Sequence, residues 1–282
     1  MNYKNDIGFL SIAQNSKFNY LELAYLQAIS TKLTMPESKY AVIVDTNTMN
    51  SFKDEYWNAI DYVIPLDNDY AKDKDVKFLN EWQVLKLTPF KETIKLESDL
   101  LITRDISHWI NAFRLRDIVL SSGAKDFRQE LSPSRTYRQI FDLNELPDIY
   151  NGLMYFRLTE LSFKFFSIAR ELFLEWDLIK QSLKRCNNIE PSTDLIYAVA
   201  AKIIGVEKCT LPLNWINFVH MKPAINKLPE QPWFKSVIQE IDAPMLRIGN
   251  LNQYYPVHYC DKDWINEEII KEYENGLLER TS

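Results

Sequence analysis

The stretch TIKLESDLLITRDISHW, Thr93 to Trp109, delivers two carboxylates, Glu97 and Asp99, at the end of an apolar-flanked run, with further apolar residues straight after. Read as the end of a β-strand, residues two apart point the same way, so both acids project together. In an open α/β sheet the C-terminal ends of the strands are where ligands bind. Two carboxylates on one side repel unless a positive charge lies between them, and a divalent cation with oxygen ligands, Mg²⁺ or Mn²⁺, answers that need. A strand end carrying solvated acids is the alternative that spacing alone leaves open.

The flanking sequence sets this strand in a repeating order. Ile7 to Gln14 is a short apolar run of the kind buried in parallel sheets, followed by helical spacing from Asn19 to Leu33. Tyr40 to Asp45 reads as a second strand and YVIPL as a third, with a polar loop from Asp67 to Lys77. LNEWQVLKLTPF reads as a helix ended by Pro89, and TIKLESD as the next strand. Strand and helix in alternation imply an α/β layered fold with a mostly parallel central sheet flanked by helices. Beyond it, Asp148 to Leu158 is strand-like, SFKFFSIARELFLEWDLIKQSL is a strong amphipathic helix, and PSTDLIYAVAAKIIG a helix opened by Ser192 or Thr193 and stopped by Gly205. The tail from Met221 carries prolines, a short strand MLRIGN and a closing helix from Trp264 to Leu278.

Composition narrows the function. The chain has 282 residues, 46% of them hydrophobic, enough for one large core. No 18-residue apolar run and no signal-peptide pattern occur, so a soluble, cytoplasmic protein without a membrane partner is expected. Three cysteines, Cys186, Cys209 and Cys260, fit neither a disulfide framework nor a CxxC metal site. Six glycines form no GxGxxG and no P-loop, which argues against a Rossmann dinucleotide site. A net charge of −6 argues against a generic nucleic-acid binder, yet Arg114 to Arg138 holds six basic residues against three acids, a local excess.

The ESD block, taken with its neighbours, resembles the nucleotide-sugar glycosyltransferases of the GT-A fold, especially relatives of glycosyltransferase family eight, in which a DxD motif holds a metal on the donor diphosphate. FLSIAQNSKFNYLELAYLQAIS looks like the opening strand and helix of the donor site. YNGLMYFR is similar to the family's acceptor-side strand, STDLIYAVA to its aspartate helix, and LPLNWINF to the strand after it. The resemblance covers roughly the first 220 residues and implies a GT-A-like catalytic domain over 1–220, with 221–282 an extension completing the site.

Residue by residue, the resemblance implies that Ala13, Asn15 and Tyr20 contact the nucleotide base, that Lys86 meets donor phosphate, and that Glu97 and Asp99 bind the metal. Glu97 stands where the family has its first aspartate and reaches one methylene further. The family's third ligand, a histidine in HxxGxxKPW, has two partial matches, His220 with Lys222 and His258 with Lys262; neither has the glycine, and His220 is preferred for following the matched LPLNWINF. Asp194 resembles the carboxylate near the sugar, with Leu195 in place of the family's glutamine, and Asn151 and Gly152 match the acceptor side. The implied activity is metal-dependent transfer of a hexose or pentose from a nucleotide-sugar, a UDP-sugar, with Mn²⁺ or Mg²⁺.

The texture of YNGLMYFR, FVHMKP and YYPVHYCDKDW resembles bacteriophage-encoded transferases that modify hydroxymethylated pyrimidines in DNA. That implies double-stranded DNA carrying 5-hydroxymethylcytosine as acceptor, gripped by Arg128, Arg135 and Arg138, in the cytoplasm of a phage host. The alternatives are transfer to a cell-surface glycan or lipopolysaccharide, and a non-catalytic sugar-nucleotide-binding protein.

Overall fold

A computed structural model describes residues 5–72, 74, 77–132, 136–212 and 215–281. Its centre is a six-stranded sheet built from β1 (Asn5–Ala13), β2 (Tyr40–Val44), β3 (Tyr62–Pro65), β4 (Phe90–Leu96), β6 (Ile118–Ser122) and β7 (Ile149–Arg157), in the order β3-β2-β1-β4-β7-β6. Strands β3, β2, β1 and β4 run parallel, and β7 is antiparallel to both neighbours. The mostly parallel α/β sheet expected from the strand and helix alternation is therefore present.

Burial on both faces explains why the strands read as continuous apolar runs. Along β2, Tyr40, Val42 and Val44 enter one core while Ala41 and Ile43 enter the other. The first core is filled by helix α1 (Tyr20–Thr34) and by residues that return from the C-terminal segment, among them Trp233, Leu246, Tyr259, Trp264 and Tyr273. The second is filled by α2 (Glu160–Leu174), α3 (Trp176–Ser182) and α4 (Thr193–Ile204). The closing helix α5 (Glu267–Thr281) packs on α1, where Tyr25 Oη donates to Glu274 at 3.2 Å.

Several local expectations are corrected. β4 stops at Leu96, so Glu97 and Asp99 are not strand residues. Glu97 N still donates to Gly152 O on β7 (3.1 Å), but Ser98 and Asp99 lie in a turn leading into the short β5 (Leu100–Leu101). The helix expected over LNEWQVLKLTPF is a 3₁₀ turn, Phe78–Gln83, followed by one α-helical turn, Val84–Leu87. Its Asn80, Glu81 and Gln83 are buried rather than spaced along one exposed face, Asn80 and Gln83 bonded to the loop at Asn68 and Asp69 and Glu81 paired with Lys95 of β4. The amphipathic helix after β7 breaks at Glu175, which turns the Trp176 indole inward so that its Nε1 donates to the carbonyls of Asn188 and Ile189. Of LPLNWINF, Leu213 and Asn214 lie outside the described residues and the rest is irregular; a strand begins only at β8 (Val219–His220).

Two small sheets complete the chain. One is an antiparallel meander of β9 (Gln239–Asp242), β10 (Met245–Ile248) and β11 (Leu251–Asn252). The other, β5-β12-β8, joins β8 and β12 (Val257–His258) in parallel and β12 to β5 in antiparallel, with His258 in register with both His220 and Leu100. This second sheet positions the site, because it sets two histidines from distant sequence beside the residue that follows Asp99.

Candidate active site

The ESD turn is held from three sides by groups that sequence reading passed over. Gln27 of α1, fully buried, donates from Nε2 to the carbonyls of Glu97 (2.5 Å) and Leu100 (2.7 Å), and Tyr40 Oη donates to its Oε1 (2.5 Å). Ser98 Oγ donates to Ile12 O (3.0 Å), and Tyr259 N donates to Asp99 O (3.1 Å). Gln27 and Tyr259 N satisfy the turn's carbonyls, and Ser98 ties the turn to β1, so its backbone is held without a regular ladder.

On that frame the two carboxylates converge on cations. His258 Nε2 lies 3.0 Å from Asp99 Oδ1 and 3.3 Å from Glu97 Oε2, and Lys262 Nζ lies 2.6 Å from Asp99 Oδ2. Asn151 Nδ2 donates to Glu97 Oε1 (3.1 Å). Burial drives Asp99 upward, but His258 and Lys262 outweigh it and hold its carboxyl below the usual range. Glu97 has less compensation: burial, with the Asp99 charge added, pushes it up against the pull of His258 and Lys95. For His258 the balance is opposite, since the two carboxylates overcome burial and raise the imidazole. His220 is one step behind, its ring 4.7 Å from that of His258 and its Nδ1 3.4 Å from Cys260 Sγ. Burial, His258 and Lys222 keep His220 neutral, well below its ordinary value.

A cavity of ≈ 410 Å³ opens over this cluster, at the C-terminal ends of β1 and β4. Asp194, the second residue of α4, reaches it from the other side. Its Oδ1 accepts from Asn151 N (2.7 Å) and its Oδ2 from Arg138 Nη2 (3.3 Å). The backbone of Asn151 is free to do this because β7 bulges: Leu120 pairs with Met154 but the next residue of β6, Ser121, pairs with Tyr150. Ser121 Oγ donates to the carbonyl of Leu153 within that bulge (2.7 Å). Gly152 is required by packing, since a Cβ there would lie 2.6 Å from Phe218 Cζ, and Phe218 in turn packs on both histidine rings.

The remaining sequence candidates divide. Tyr20, Lys222 and Lys262 line the cavity with Asp194, Asn151, Gly152, Glu97, Asp99, His220 and His258. Ala13 is fully buried at the end of β1, and the wall there is made by Ile12, Gln14 and Ser16. Asn15 turns to α1 and the next loop, accepting from Leu21 N (3.0 Å) and donating to Ser51 Oγ (3.1 Å). Lys86 is exposed, pairs with Asp67 at 2.5 Å and does not reach the cavity. Of the three arginines expected to grip a duplex, Arg138 needs correction. Arg138 is 5% exposed, stacked between Phe141 and Tyr150 and bonded to Asp148, Ile149 O and Asp194, so it is a buried clamp rather than a phosphate contact. Arg128 is half-exposed but pairs with Asp126 at 3.2 Å, and Arg135 lies outside the described residues.

Residues that the sequence left unmarked include Cys260, which lines the cavity beside His258, and the buried pair Lys95–Glu81 (2.6 Å), of which Glu81 reaches the cavity wall. Lys95 carried a signal: it is a charged residue inside an apolar strand run, two positions before Glu97.

The donor set suits a hard divalent cation. Glu97, Asp99 and His258 each offer one ligand atom, all within 4.8 Å of one another, and ligands sharing an octahedral ion at about 2.1 Å stand roughly 3 to 4 Å apart. Two carboxylates and an imidazole match Mn²⁺ or Mg²⁺ chemistry, and Asp99 lies against the His258 imidazole and the Lys262 ammonium, groups that answer its negative charge.

The mostly parallel sheet and its strand order define the class of the fold, and solved structures share that fold. No protein-family model and no curated protein matches the sequence. The galactosyltransferase LgtC, solved with donor and acceptor sugar analogues, superposes over 96% of this chain and 95% of its own with a TM-score of 0.57 and 11% identity. The bifunctional glycosyltransferase WbbM matches 98% of this chain and 50% of its own (TM-score 0.52, 12% identity). The glycosyltransferase GlyE of Streptococcus pneumoniae TIGR4 matches 97% and 63% (TM-score 0.50, 13% identity). The chain has the GT-A glycosyltransferase fold. Among the described residues no helix is long and apolar enough to cross a membrane.

Proposed function

We propose that the protein is a metal-dependent glycosyltransferase that moves a sugar from a nucleotide-sugar, a UDP-sugar, to an acceptor hydroxyl. The observation that carries this reading is the convergence of Glu97, Asp99, His258 and Lys262 on one cavity at the ends of parallel strands in this fold. Glu97, Asp99 and His258 would hold Mn²⁺ or Mg²⁺; the ion, when bound, supplies positive charge against the diphosphate leaving group. His258 is preferred to His220 as third ligand because only its ring lies against both carboxylates.

The chain's own groups do the rest. Lys262, released from Asp99 when a cation takes its place, can turn to a phosphate oxygen as a point charge. Tyr20 and Gln14 line the wall beside the end of β1, where the nucleoside enters. Asp194 faces the transferred sugar. Both of its oxygens already accept hydrogen bonds, from Asn151 N and Arg138, which suits a fixed negative charge opposite a developing oxocarbenium better than a proton acceptor.

For the acceptor, resemblance to phage enzymes points to a hydroxymethylated pyrimidine in DNA; with Arg138 committed to Asp194, Arg128 is the described arginine left to meet a duplex. The test is release of UDP and mass gain on acceptor, with a UDP-sugar panel, Mn²⁺, and either DNA containing 5-hydroxymethylcytosine or an oligosaccharide. Metal-dependent turnover lost in Asp99→Ala and His258→Ala is expected. Full turnover in Asp99→Ala refutes the reading, and mass gain on the oligosaccharide alone removes DNA as the acceptor.

A further inference from the structure

Behind the carboxylate cluster stands a second group of ligands with different chemistry. His220, His258 and Cys260 each offer one ligand atom within 4.8 Å of the others. The two histidines are brought together by the parallel pairing of β8 and β12, and Cys260 follows two residues after His258. Cys260 takes a left-handed backbone (φ 63), uncommon for a residue with a side chain, and its Sγ lies 3.4 Å from His220 Nδ1. His220 Nε2 and His258 Nδ1 are buried without a hydrogen-bond partner. Each of the two rings thus keeps one buried nitrogen without a protein partner, and the other nitrogen of His220 faces the Cys260 thiol at the wall of an open cavity, a set of donors open to a ligand.

We infer that His220, His258 and Cys260 form a second metal site, selective for a soft or borderline cation such as Zn²⁺, which competes with the carboxylate site for His258. Zn²⁺ bonds of about 2.0 Å to nitrogen and 2.3 Å to sulfur put tetrahedral N and S ligands roughly 3.5 Å apart, which the His220 to Cys260 separation of 3.4 Å meets. Nitrogen and sulfur donors favour Zn²⁺, whereas the oxygen-rich set with Glu97 and Asp99 favours Mn²⁺ or Mg²⁺. Three protein ligands leave a fourth position open to the cavity, and Cys260 lines the entry path. On binding, the S–H bond breaks, the sulfur keeps the electron pair for the metal, and the proton leaves to solvent. Because a neutral imidazole has a single lone pair, His258 can ligate in one set at a time, and the protein acts as a transferase that Zn²⁺ switches off; this consequence rests on the proposed activity, while the binding itself does not.

Cobalt reports the site independently of turnover. Co²⁺ titrated into the full chain is expected to give thiolate-to-metal charge-transfer absorption and tetrahedral d–d bands. Both should persist in Asp99→Ala and Cys186→Ser, and the charge-transfer band should vanish in Cys260→Ser. Equilibrium dialysis should show Zn²⁺ binding weakened at least tenfold in Cys260→Ser and in His220→Ala, with circular dichroism confirming the fold of each variant. Added Zn²⁺ should release bound Mn²⁺, read by its paramagnetic resonance, in the wild type but not in Cys260→Ser. A cobalt complex without thiolate absorption, or absorption that survives Cys260→Ser and disappears in Cys186→Ser, overturns the site. Failure of Mn²⁺ to bind would instead count against the proposed transferase chemistry and leave the cobalt result to decide this inference.

Discussion

Lys95 and Glu81 allow the buried electrostatics next to the site to be tested quantitatively. The lysine is fully buried on β4, the carboxylate is 8% exposed, and the charged atoms stand 2.6 Å apart. At an effective dielectric constant of about 20, that separation gives a Coulomb attraction of roughly 6 kcal/mol. Desolvation costs several kcal/mol for each ion, so the pair as a whole contributes about zero. Cutting it is different, because one buried charge is then left without its partner. Lys95→Met is expected to cost about 3 to 5 kcal/mol, Glu81→Gln a comparable amount, and the double variant to return to within about 2 kcal/mol of wild type. Equilibrium unfolding in urea, followed by circular dichroism at constant m value, measures all four corners of the cycle. Lys95→Met within about 0.5 kcal/mol of wild type, or a double variant less stable than either single one, would show that water or a conformational change screens the pair and that the reasoning from burial is wrong.

Gly152→Ala forces a methyl to 2.6 Å from Phe218 Cζ and should cost about 1 to 3 kcal/mol, with Phe218→Leu in the same chain recovering part of the loss in thermal melts. Asp61 accepts from Lys32 Nζ (2.7 Å), Lys39 Nζ (2.8 Å) and Tyr40 N (2.9 Å). Burial raises its carboxyl, but these donors more than offset that and hold it below its ordinary value. Its contribution is thus present above about pH 4 and lost as pH falls through the depressed folded value; Asp61→Asn should cost about 2 kcal/mol at pH 7, and its unfolding curve should converge on wild type toward pH 2. Arg138→Lys keeps a charge but loses the bidentate hold on Asp148 and Asp194; turnover should fall about 100-fold while the dissociation constant of UDP, measured by calorimetry, stays within about twofold. Equal losses in both would mean that Arg138 shapes the whole cavity instead of orienting Asp194.

The α/β layering was legible because it depends on local periodicity. The apolar runs at Ile7 to Gln14 and Tyr40 to Asp45 are buried on both faces of a parallel sheet, and a strand of that kind has to be apolar throughout. The caps of α4 were legible for the same local reason: Ser192 is its N-cap, and Gly205 takes φ 113, which a side chain would resist. The ESD acids were also visible as a pair, but the reason they face one another was not. Strand alternation was expected to align them, whereas β4 ends at Leu96 and the turn is shaped by Gln27, seventy residues away in sequence, through its bonds to Glu97 O and Leu100 O.

Long-range pairing decided what the sequence by itself left open. Of two histidines each followed by a lysine, the sequence favoured His220 for its place after LPLNWINF, and the structure reverses that order. The parallel register of β8 with β12, and the antiparallel register of β12 with β5, set His258 against the carboxylates and His220 behind it. Arg138 looked like part of a basic surface because charge counting along the chain cannot register that Asp148, Asp194, Phe141 and Tyr150 close around it. Patterns of period two or 3.6 report which side of one element is buried. Which side chains then meet across elements depends on register, bulges and turns, and those are set by the summed packing of the whole molecule.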